Sequence, residues 1–488
     1  MNTLPNLSIF TLCLVPWIVF YFFDPILLKF NFPSKIHVND WHKELEYIGV
    51  LKQAITQGSL PFSVPNFQEF FGQISSEGEF LGMPIYTISP LIIFLYFLEP
   101  MQFHILNHLV MVAVGFVGCL LIKRDFNLSL IAFFFLVITF NLYGGFTSKI
   151  SAYGPSQLGY YLSIYIIWIL LRITKQNDFQ SKQDLGYFAI LLSLSLSFML
   201  YQGSLHYYVQ WITFLIFWGL FNPKYLKFLF LSAFLTISLC ALRLFPAIVI
   251  NGSVSNMRQV GGYGLNPEFF LQTFISIRGI TDFPEFAWWE NSNYISIFGF
   301  SFILLFGVFY FFSNRANLLS SNIKKFIGPL ALIFFISFSD FRLFLIPDFL
   351  PLLNIESVTT RYFFIVVLFM LIFSCLNFDK FYKKINSFSL SSVLWLSAFM
   401  HFGFLFFNSY TWSLQLIQNK LYEYGGIELK QNLLIQQTNL RMENIEANSI
   451  YINSIFLGFL LSCLTILVIS FYSFRLFKKK NSISQNIE

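Results

Sequence analysis

The sequence predicts an all-α polytopic membrane protein with about twelve transmembrane helices. Of its 488 residues, 56% are hydrophobic and only 11% are charged, whereas roughly a quarter of an average soluble domain is charged. Phenylalanine contributes 67 residues, and the runs 131–140 and 298–312 contain no charged side chain. A spanning helix needs about 20 mostly apolar residues, because the hydrocarbon core is roughly 30 Å thick. These runs therefore belong in a membrane.

Stretches of this length and composition recur along the whole chain. The stretch from Ile88 to Leu98 is not counted among them, because Pro90 and Pro100 bound it and about eleven residues are too few to cross. We predict an interfacial or re-entrant helix there. The predicted spans are residues 8–28, 102–122, 127–145, 157–172, 186–202, 205–221, 228–250, 294–312, 326–345, 361–377, 388–407 and 453–474.

Lysine and arginine concentrate in one set of alternate loops, which is typical of the cytoplasmic side. This set contains residues 123–124, 172–182, 224–227, 315–325, 380–384 and the basic tail 475–480. The net charge of +6 therefore reflects topology and does not indicate nucleic-acid binding. The opposite loops are predicted to be external and are residues 29–101, 144–156, 251–293, 346–360 and 408–452.

These loops divide the chain into four parts. A first transmembrane helix (1–28) leads to a long external loop (29–101), a helical core (102–377) and a C-terminal part (378–488) that ends in the cytoplasm. We expect a multi-pass protein of a bacterial cytoplasmic membrane that is surrounded by membrane lipids.

The first external loop contains a helical pattern between Asp40 and Thr56. Apolar residues recur there at three- and four-residue steps, which predicts an amphipathic helix that lies flat on the membrane surface. The apolar positions are Trp41, Leu45, Ile48, Leu51 and Ile55, and the polar side is formed by Lys43, Glu44, Lys52 and Gln53.

Some residues within the predicted spans are typical of metal sites, but their spacing favours packing roles. His104 and His108 lie one helical turn apart without a nearby third ligand, so we interpret them as partners in interhelical hydrogen bonds. Each cysteine stands alone in an apolar segment and is interpreted as a small core residue. The cysteines are Cys13, Cys119, Cys240, Cys375 and Cys463.

Asp40 is the first candidate for chemistry, because it directly precedes the amphipathic helix at the membrane surface. A carboxylate there can accept a proton from an attacking hydroxyl group or hold a divalent cation. Asp40 also suits a helix N-cap, so the residue pattern leaves both roles open. Glu44 is a second acid, a metal ligand or a solvated surface charge.

Several short motifs follow Asp40 in a fixed order. They are Gly58-Ser59-Leu60-Pro61, Gly82-Met83-Pro84, Ser89-Pro90, Gly144-Gly145-Phe146, Gly159-Tyr160, Pro246 before Asn256 to Arg258, Trp289-Glu290 with Tyr294, and Arg361-Tyr362. In this order, on one predicted membrane face, they resemble the GT-C superfamily of integral-membrane glycosyltransferases. The similarity is nearest to the bacterial YfhO-like branch and covers roughly residues 10 to 375.

The resemblance implies a fold in which a polyprenyl-phosphate-linked sugar donor enters from the bilayer and reacts at the external face. Asp40 matches the family's acidic base in the first loop. The acceptor would be a lipid, a polysaccharide or a protein, and the transfer would be inverting. Glu44 stands where related sequences often carry a histidine, which leaves a divalent cation, Mg²⁺ or Mn²⁺, as an open prediction.

Three arginines are candidates for the phosphate of the donor. Arg361 starts a predicted span, Arg243 lies within another, and Arg258 follows in an external loop. Ionised residues at membrane depth cost several kcal/mol unless they are paired or hydrated, and the planar fork of arginine can bond two phosphate oxygens. Snorkelling to the interface or a structural salt bridge is the alternative for each of them.

Three further residues are candidate substrate ligands. Glu290 beside Trp289 combines a carboxylate with an aromatic face, which suits sugar hydroxyl groups and sugar rings. Trp289 also fits the aromatic belt at a membrane interface. Glu79, with Glu77 nearby, precedes Gly82-Met83-Pro84 and could reach an acceptor or remain an exposed loop charge.

Two other functions fit a chain with this many spans. A transporter or lipid flippase also has many spans and intramembrane arginines, although such proteins often contain internal repeats and broken helices. The sequence shows neither feature. A non-enzymatic assembly subunit that kept the fold and lost the site is the third possibility.

Overall fold

The computed structural model describes residues 3–22, 41–58, 63–64, 80–81, 89–175, 182–251, 265, 267–277, 288–309, 318–338, 358–384, 388–417 and 449–485. Among these residues, helices account for all regular structure except one short antiparallel ribbon. In that ribbon, Ser63–Val64 (β1) pairs with Phe80–Leu81 (β2). The predicted all-α class is confirmed for the described part of the chain, with the ribbon as an addition.

The first half of the chain forms ten α-helices, numbered here in chain order. They are α1 (Thr3–Phe22), α2 (Trp41–Gln57), α3 (Pro100–Phe126), α4 (Leu130–Leu142), α5 (Gly144–Tyr153), α6 (Ser163–Lys175), α7 (Lys182–Tyr201), α8 (Leu205–Phe221), α9 (Leu226–Leu239) and α10 (Ala241–Asn251). Short 3₁₀ helices occupy Pro90–Tyr96, Gly154–Leu162 and Pro223–Tyr225.

The second half continues the bundle with seven described α-helices. They are α11 (Phe270–Ile275), α12 (Trp288–Asn291), α13 (Ser296–Phe302), α14 (Leu318–Ile336), α15 (Phe363–Tyr382), α16 (Phe388–Ile417) and α17 (Ser449–Gln485). The 3₁₀ helix Pro267–Phe269 leads into α11, a π-helical turn at Ile303–Phe309 extends α13, and the 3₁₀ helix Thr359–Tyr362 leads into α15.

Within the described residues, nine helices are long and apolar enough to cross a membrane. Each of them coincides with a predicted span, so the polytopic membrane class is confirmed. A tenth candidate is the pair Leu205–Phe221 and Pro223–Leu239, whose two helices meet at 119°. The prediction of about twelve spans exceeds this number, because three predicted spans have no counterpart among these nine helices.

Two of those three predicted spans are residues 205–221 and 228–250. The first is α8, which is followed by a sharp bend at Pro223–Tyr225. The second is interrupted at Cys240, where α9 ends and α10 begins. The third predicted span, 326–345, begins eight residues early as α14, and the described part of this helix ends at Ile336.

Basic loops from different parts of the chain meet at one end of the bundle, called the basic end below. Arg172 Nη1 lies 3.1 Å from Asp125 Oδ2, and Lys383 Nζ donates to Asn127 O at 2.9 Å. The same end contains Lys325 Nζ donating to Thr174 O (3.3 Å), Asn222 Nδ2 donating to Lys325 O (3.0 Å) and Ser129 N donating to Asp379 Oδ1 (2.6 Å).

The predicted external loops meet at the opposite end, called the site end below. Gly144 N donates to Tyr294 O at 2.8 Å, which joins the loop predicted at 144–156 to the start of the span predicted at 294–312. Thr360 Oγ1 donates to Glu290 O at 3.1 Å. Within the described residues, these contacts agree with the predicted division of the loops into two sets. Which end faces the cytoplasm stays a prediction.

The centre of the bundle is packed closely. Almost every residue of α4 and α6 is buried. Because lipid is as apolar as a side chain, such helices associate through close packing rather than through the hydrophobic effect. Gly115 of α3 allows this approach, since a Cβ atom there would lie 2.7 Å from Tyr161 Cδ1.

The predicted amphipathic helix exists as α2, within one residue of its predicted start and end. Leu45, Ile48 and Leu51 are buried, as the periodicity indicates. Glu44 and Gln53, however, are buried as well, which corrects their predicted place on an exposed polar side. The physical reason is that α2 packs against α3, α5 and the 3₁₀ helix Gly154–Leu162, so it is covered on several sides.

Two short segments at the site end differ in depth. The stretch predicted not to span forms the seven-residue 3₁₀ helix Pro90–Tyr96, in which Ile93 and Phe94 are exposed. Residues 144–156, predicted as an external loop, are instead helical as α5 and the start of the next 3₁₀ helix, and most of them are buried. The bundle therefore contains polar helical segments inside its site end.

Candidate site at the end opposite the basic loops

The short helix α5 forms the centre of the candidate site. It packs against α2 on one side and against α12 and α16 on others, and it runs on into the 3₁₀ helix Gly154–Leu162. Residues 144–152 of this helix are buried, and they include three hydroxyl side chains and one lysine. The site end therefore contains buried polar groups, which need hydrogen-bond partners within the protein because lipid tails offer none.

Three hydroxyl residues fix how α5 is rotated. Ser148 Oγ donates to Trp289 O at 3.2 Å, and Ser151 Oγ donates to Trp412 O at 2.9 Å. Thr147 Oγ1 accepts from Asn408 Nδ2 at 3.2 Å. Residues 147, 148 and 151 share an arc of about 100° on a helix, so this face of α5 is bonded to α12 and α16.

Lys149 lies next to this bonded face and is only 4% exposed. Its position is about 100° around the helix from Ser148. It therefore lies between the bonded face and the face on which Phe146 packs against Trp17 and Tyr161. Ionised residues at membrane depth mark functional sites by default. Lys149 is not among the site residues predicted from the sequence, where the signal for it is a lysine between hydroxyl residues in a predicted external segment.

Glu290 and Arg361 form a buried ion pair at the site end. Arg361 Nε donates to Glu290 Oε2 at 2.8 Å, and Arg361 Nη2 donates to Glu290 Oε1. Glu290 is 2% exposed and Arg361 is 9% exposed. Two residues that the sequence predicts as separate substrate ligands are therefore brought into direct contact.

Polar contacts around this pair connect four segments. Trp289 O accepts from Ser148 of α5, and its half-buried side chain packs against the hydrophobic core. Tyr143 Oη donates to Asn293 Oδ1, and Asn293 N donates to Thr273 O at 3.0 Å. The pair is thus held in a hydrogen-bonded framework and not at a loose loop tip.

Glu44 belongs to the same end through α2. It lies in the first turn of this helix and is 2% exposed, which rules out the solvated surface charge that the sequence allows. Helix α2, which carries Glu44, packs against α5, which carries Lys149. The two buried charged residues therefore lie on adjacent helices. Asp40 precedes α2 directly in the chain and lies outside the described residues, as do Arg258 and Glu79.

Arg243 lies in a different neighbourhood. It is 6% exposed in α10, and its backbone N–H donates to Cys240 O at 2.9 Å, where α9 ends. Helix α10 packs along α17, whereas Arg361 and Glu290 join α12 to the segment before α15. We therefore do not group Arg243 with the buried pair.

The two histidines form interhelical hydrogen bonds, as predicted. Tyr21 Oη of α1 lies 2.8 Å from His104 Nε2 and 2.7 Å from His108 Nδ1. His108 Nε2 lies 3.2 Å from Tyr161 Oη. Among the described residues, no group of three or more His, Cys, Asp or Glu side chains is arranged to hold a metal ion.

Comparisons of the chain with protein-family models, with curated proteins and with solved structures find no match. The chemistry of this end must therefore be judged from its own residues. A buried carboxylate on α2, a buried lysine on α5 and a buried Arg–Glu pair provide both signs of charge in a site away from bulk water. Such groups interact far more strongly there than in water.

Proposed function

We propose that this chain is a membrane glycosyltransferase of the GT-C type. It moves a sugar from a polyprenyl-phosphate donor to a lipid, polysaccharide or protein acceptor at the site end. The observation that carries the proposal is the burial of four ionisable side chains at this end, opposite the basic loops. They are Glu44, Lys149, Glu290 and Arg361.

In this proposal, Asp40 is the general base. The acceptor oxygen bonds to the anomeric carbon while the bond from that carbon to the phosphate oxygen breaks. Asp40 takes the hydroxyl proton, and the electron pair leaves with the polyprenyl phosphate. Support comes from its position directly before α2, whose first turn carries the buried Glu44. Glu44 would be the second acid of the site.

The departing phosphate needs stabilisation of its developing negative charge. Arg361 would supply it through its guanidinium group, with Arg258 as a second cation and Trp289 as a platform for the sugar ring. The burial of Arg361 at the site end supports this role. A divalent cation, Mg²⁺ or Mn²⁺, remains a prediction, because the described residues bring no three ligands together, and no step is derived through it.

The proposal is tested by Asp40→Asn, with Asp184→Asn as the matched control at the start of α7. Both proteins are brought to equal membrane levels in cells that lack the wild-type gene. Mass spectrometry of glycolipids and surface polysaccharides should show that one sugar is missing from the deletion cells. Asp184→Asn should restore this sugar, whereas Asp40→Asn should not. General-base catalysis contributes about 10²- to 10⁴-fold, so the loss should be near complete. Full activity of Asp40→Asn would refute its role as base.

A lipid or oligosaccharide flippase is the second candidate, and one observation favours it. Two predicted spans are interrupted, at Tyr143 between α4 and α5 and at Cys240 between α9 and α10, and transporters often bind substrates at such breaks. Purified protein in detergent, without any gradient, separates the two functions. Sugar transfer from a polyprenyl-phosphate donor supports the enzyme, whereas translocation of lipid in vesicles without transfer supports the flippase.

A further inference from the structure

The Glu290–Arg361 pair has the geometry of a two-point contact. Both carboxylate oxygens accept from one edge of the guanidinium group, the edge formed by Nε and Nη2. Such fork contacts fix the plane of the guanidinium group as well as its distance. Both side chains are at least nine-tenths buried, so water does not loosen this arrangement.

The backbone around the pair is held as well. Thr360 Oγ1 donates to Glu290 O at 3.1 Å, and Arg361 N donates to Val358 O at 3.2 Å. Ser148 of α5 bonds the neighbouring Trp289 O. The two residues therefore meet on segments whose relative position is already fixed, and the ion pair determines the direction of the guanidinium group.

We propose that Glu290 is a positioning residue that aims Arg361 at the phosphate of the lipid-linked donor. The two-point contact with Glu290 fixes the plane and the direction of the guanidinium group. Held in this orientation, Arg361 donates to a phosphate oxygen as the sugar–phosphate bond breaks. This role replaces the predicted contact of Glu290 with sugar hydroxyl groups, and it rests on the proposed function.

The test must separate positioning from folding. Removing one partner leaves an unpaired buried charge, which strongly destabilises a protein, whereas removing both leaves a neutral site that often folds well. The variants are therefore E290Q, R361Q and the double variant E290Q/R361Q in the full chain. The assay measures kcat and KM for a polyprenyl-phosphate sugar whose sugar is the one missing from deletion cells, together with the unfolding temperature in detergent.

If Glu290 acts through Arg361, its substitution has no effect once Arg361 is gone. We expect R361Q to lower kcat about a hundredfold, as loss of one donor to a developing charge does, with a smaller change in KM. The double variant should have the same kcat as R361Q and an unfolding temperature nearer that of the wild type. E290Q alone should lose kcat although Arg361 is present.

Two outcomes in this cycle would overturn the role of Glu290. A further loss of kcat from R361Q to the double variant means that Glu290 acts on the substrate directly. Recovery of wild-type kcat in the double variant means that the pair only supports the fold. The control is D125N/R172Q, which removes the ion pair at the basic end and should leave kcat unchanged. If wild-type protein transfers no sugar, the proposed function fails and this inference falls with it.

Discussion

Gly144 shows how little space separates the segments of the site end. A Cβ atom added at this position would lie 2.6 Å from the backbone nitrogen of Tyr294. The backbone N–H of Gly144 also donates to Tyr294 O at 2.8 Å. Any side chain at position 144 must therefore push the start of α5 away from the segment that follows α12, and the backbone cannot yield as a flexible side chain would.

We expect Gly144→Ala to lower the free energy of unfolding by about 1–3 kcal/mol, the usual cost of overpacking. Thermal unfolding in detergent measures the change. Gly403→Ala in α16 is the control, because a Cβ atom there meets nothing within 4 Å and alanine favours a helix. Equal unfolding temperatures for the two variants would mean that the close approach at Tyr294 does not exist.

Single residues are also where the sequence and the structure differ most. The helical period of α2 correctly predicts that Leu45, Ile48 and Leu51 are buried. It cannot predict the burial of Glu44, because periodicity separates apolar from polar positions and does not see a second, polar contact surface. The burial of Lys149 is not predicted either, because a charged residue in a short polar segment resembles an ordinary loop residue.

At the scale of elements, α5 is held by side-chain hydroxyl groups. Ser151 Oγ donates to Trp412 O of α16 at 2.9 Å, and the serine is buried. We expect Ser151→Ala to cost about 0.5–1.5 kcal/mol, because the interhelical bond is lost. Ser397→Ala is the control, since that exposed hydroxyl bonds only within its own helix, to Val393 O.

Thermal unfolding of the two serine variants checks this prediction, and sugar transfer gives a second measurement. Because α5 carries Lys149 between α2 and α12, a loosened helix should lower transfer by more than the loss of folded protein explains. If Ser151→Ala and Ser397→Ala behave alike in both measurements, the hydroxyl contact does not hold α5 in place.

Whole elements could be predicted where one periodicity extends over their length. The apolar parts of the nine candidate spans and α2 follow from runs of apolar residues or from a 3.6-residue period. The break at Cys240 and the helical fold of residues 144–156 do not. At both places, residues of other segments form hydrogen bonds with the backbone, as Ser462 does with Leu242 N and Tyr294 O does with Gly144 N. The local sequence does not show which distant residues will supply these bonds.

At the scale of the whole molecule, the two ends of the bundle differ in charge. The basic end carries the clustered lysines and arginines, and the positive-inside tendency predicts that it faces the cytoplasm. Exposed positions suited to a test are Thr56 on α2 at the site end and Lys384 after α15 at the basic end. The orientation of the protein can therefore be read from chemical labelling of these two positions.

We expect Thr56→Cys to react with a membrane-impermeant maleimide in intact cells and Lys384→Cys to react only after the membrane is opened. Four native cysteines are buried and Cys463 is half-buried, so Cys463→Ser is added to every variant and background labelling should be low. The parent chain without an added cysteine is the control for this background. The reverse pattern of labelling would place the basic end outside and contradict the proposed transfer at an external face.

The interruption at Tyr143 has a consequence for the surrounding bilayer. Helices α4 and α6 contain 13 residues each, which corresponds to a length of about 20 Å. The lipid around the bundle has a hydrocarbon core of roughly 30 Å. Helix α4 is therefore about 10 Å too short to cross by itself, and the polar helix α5 completes the span Leu130–Ala152. In the proposed function, a lipid-borne phosphate would have to descend below the head groups to meet α5. A thinner bilayer would shorten this descent.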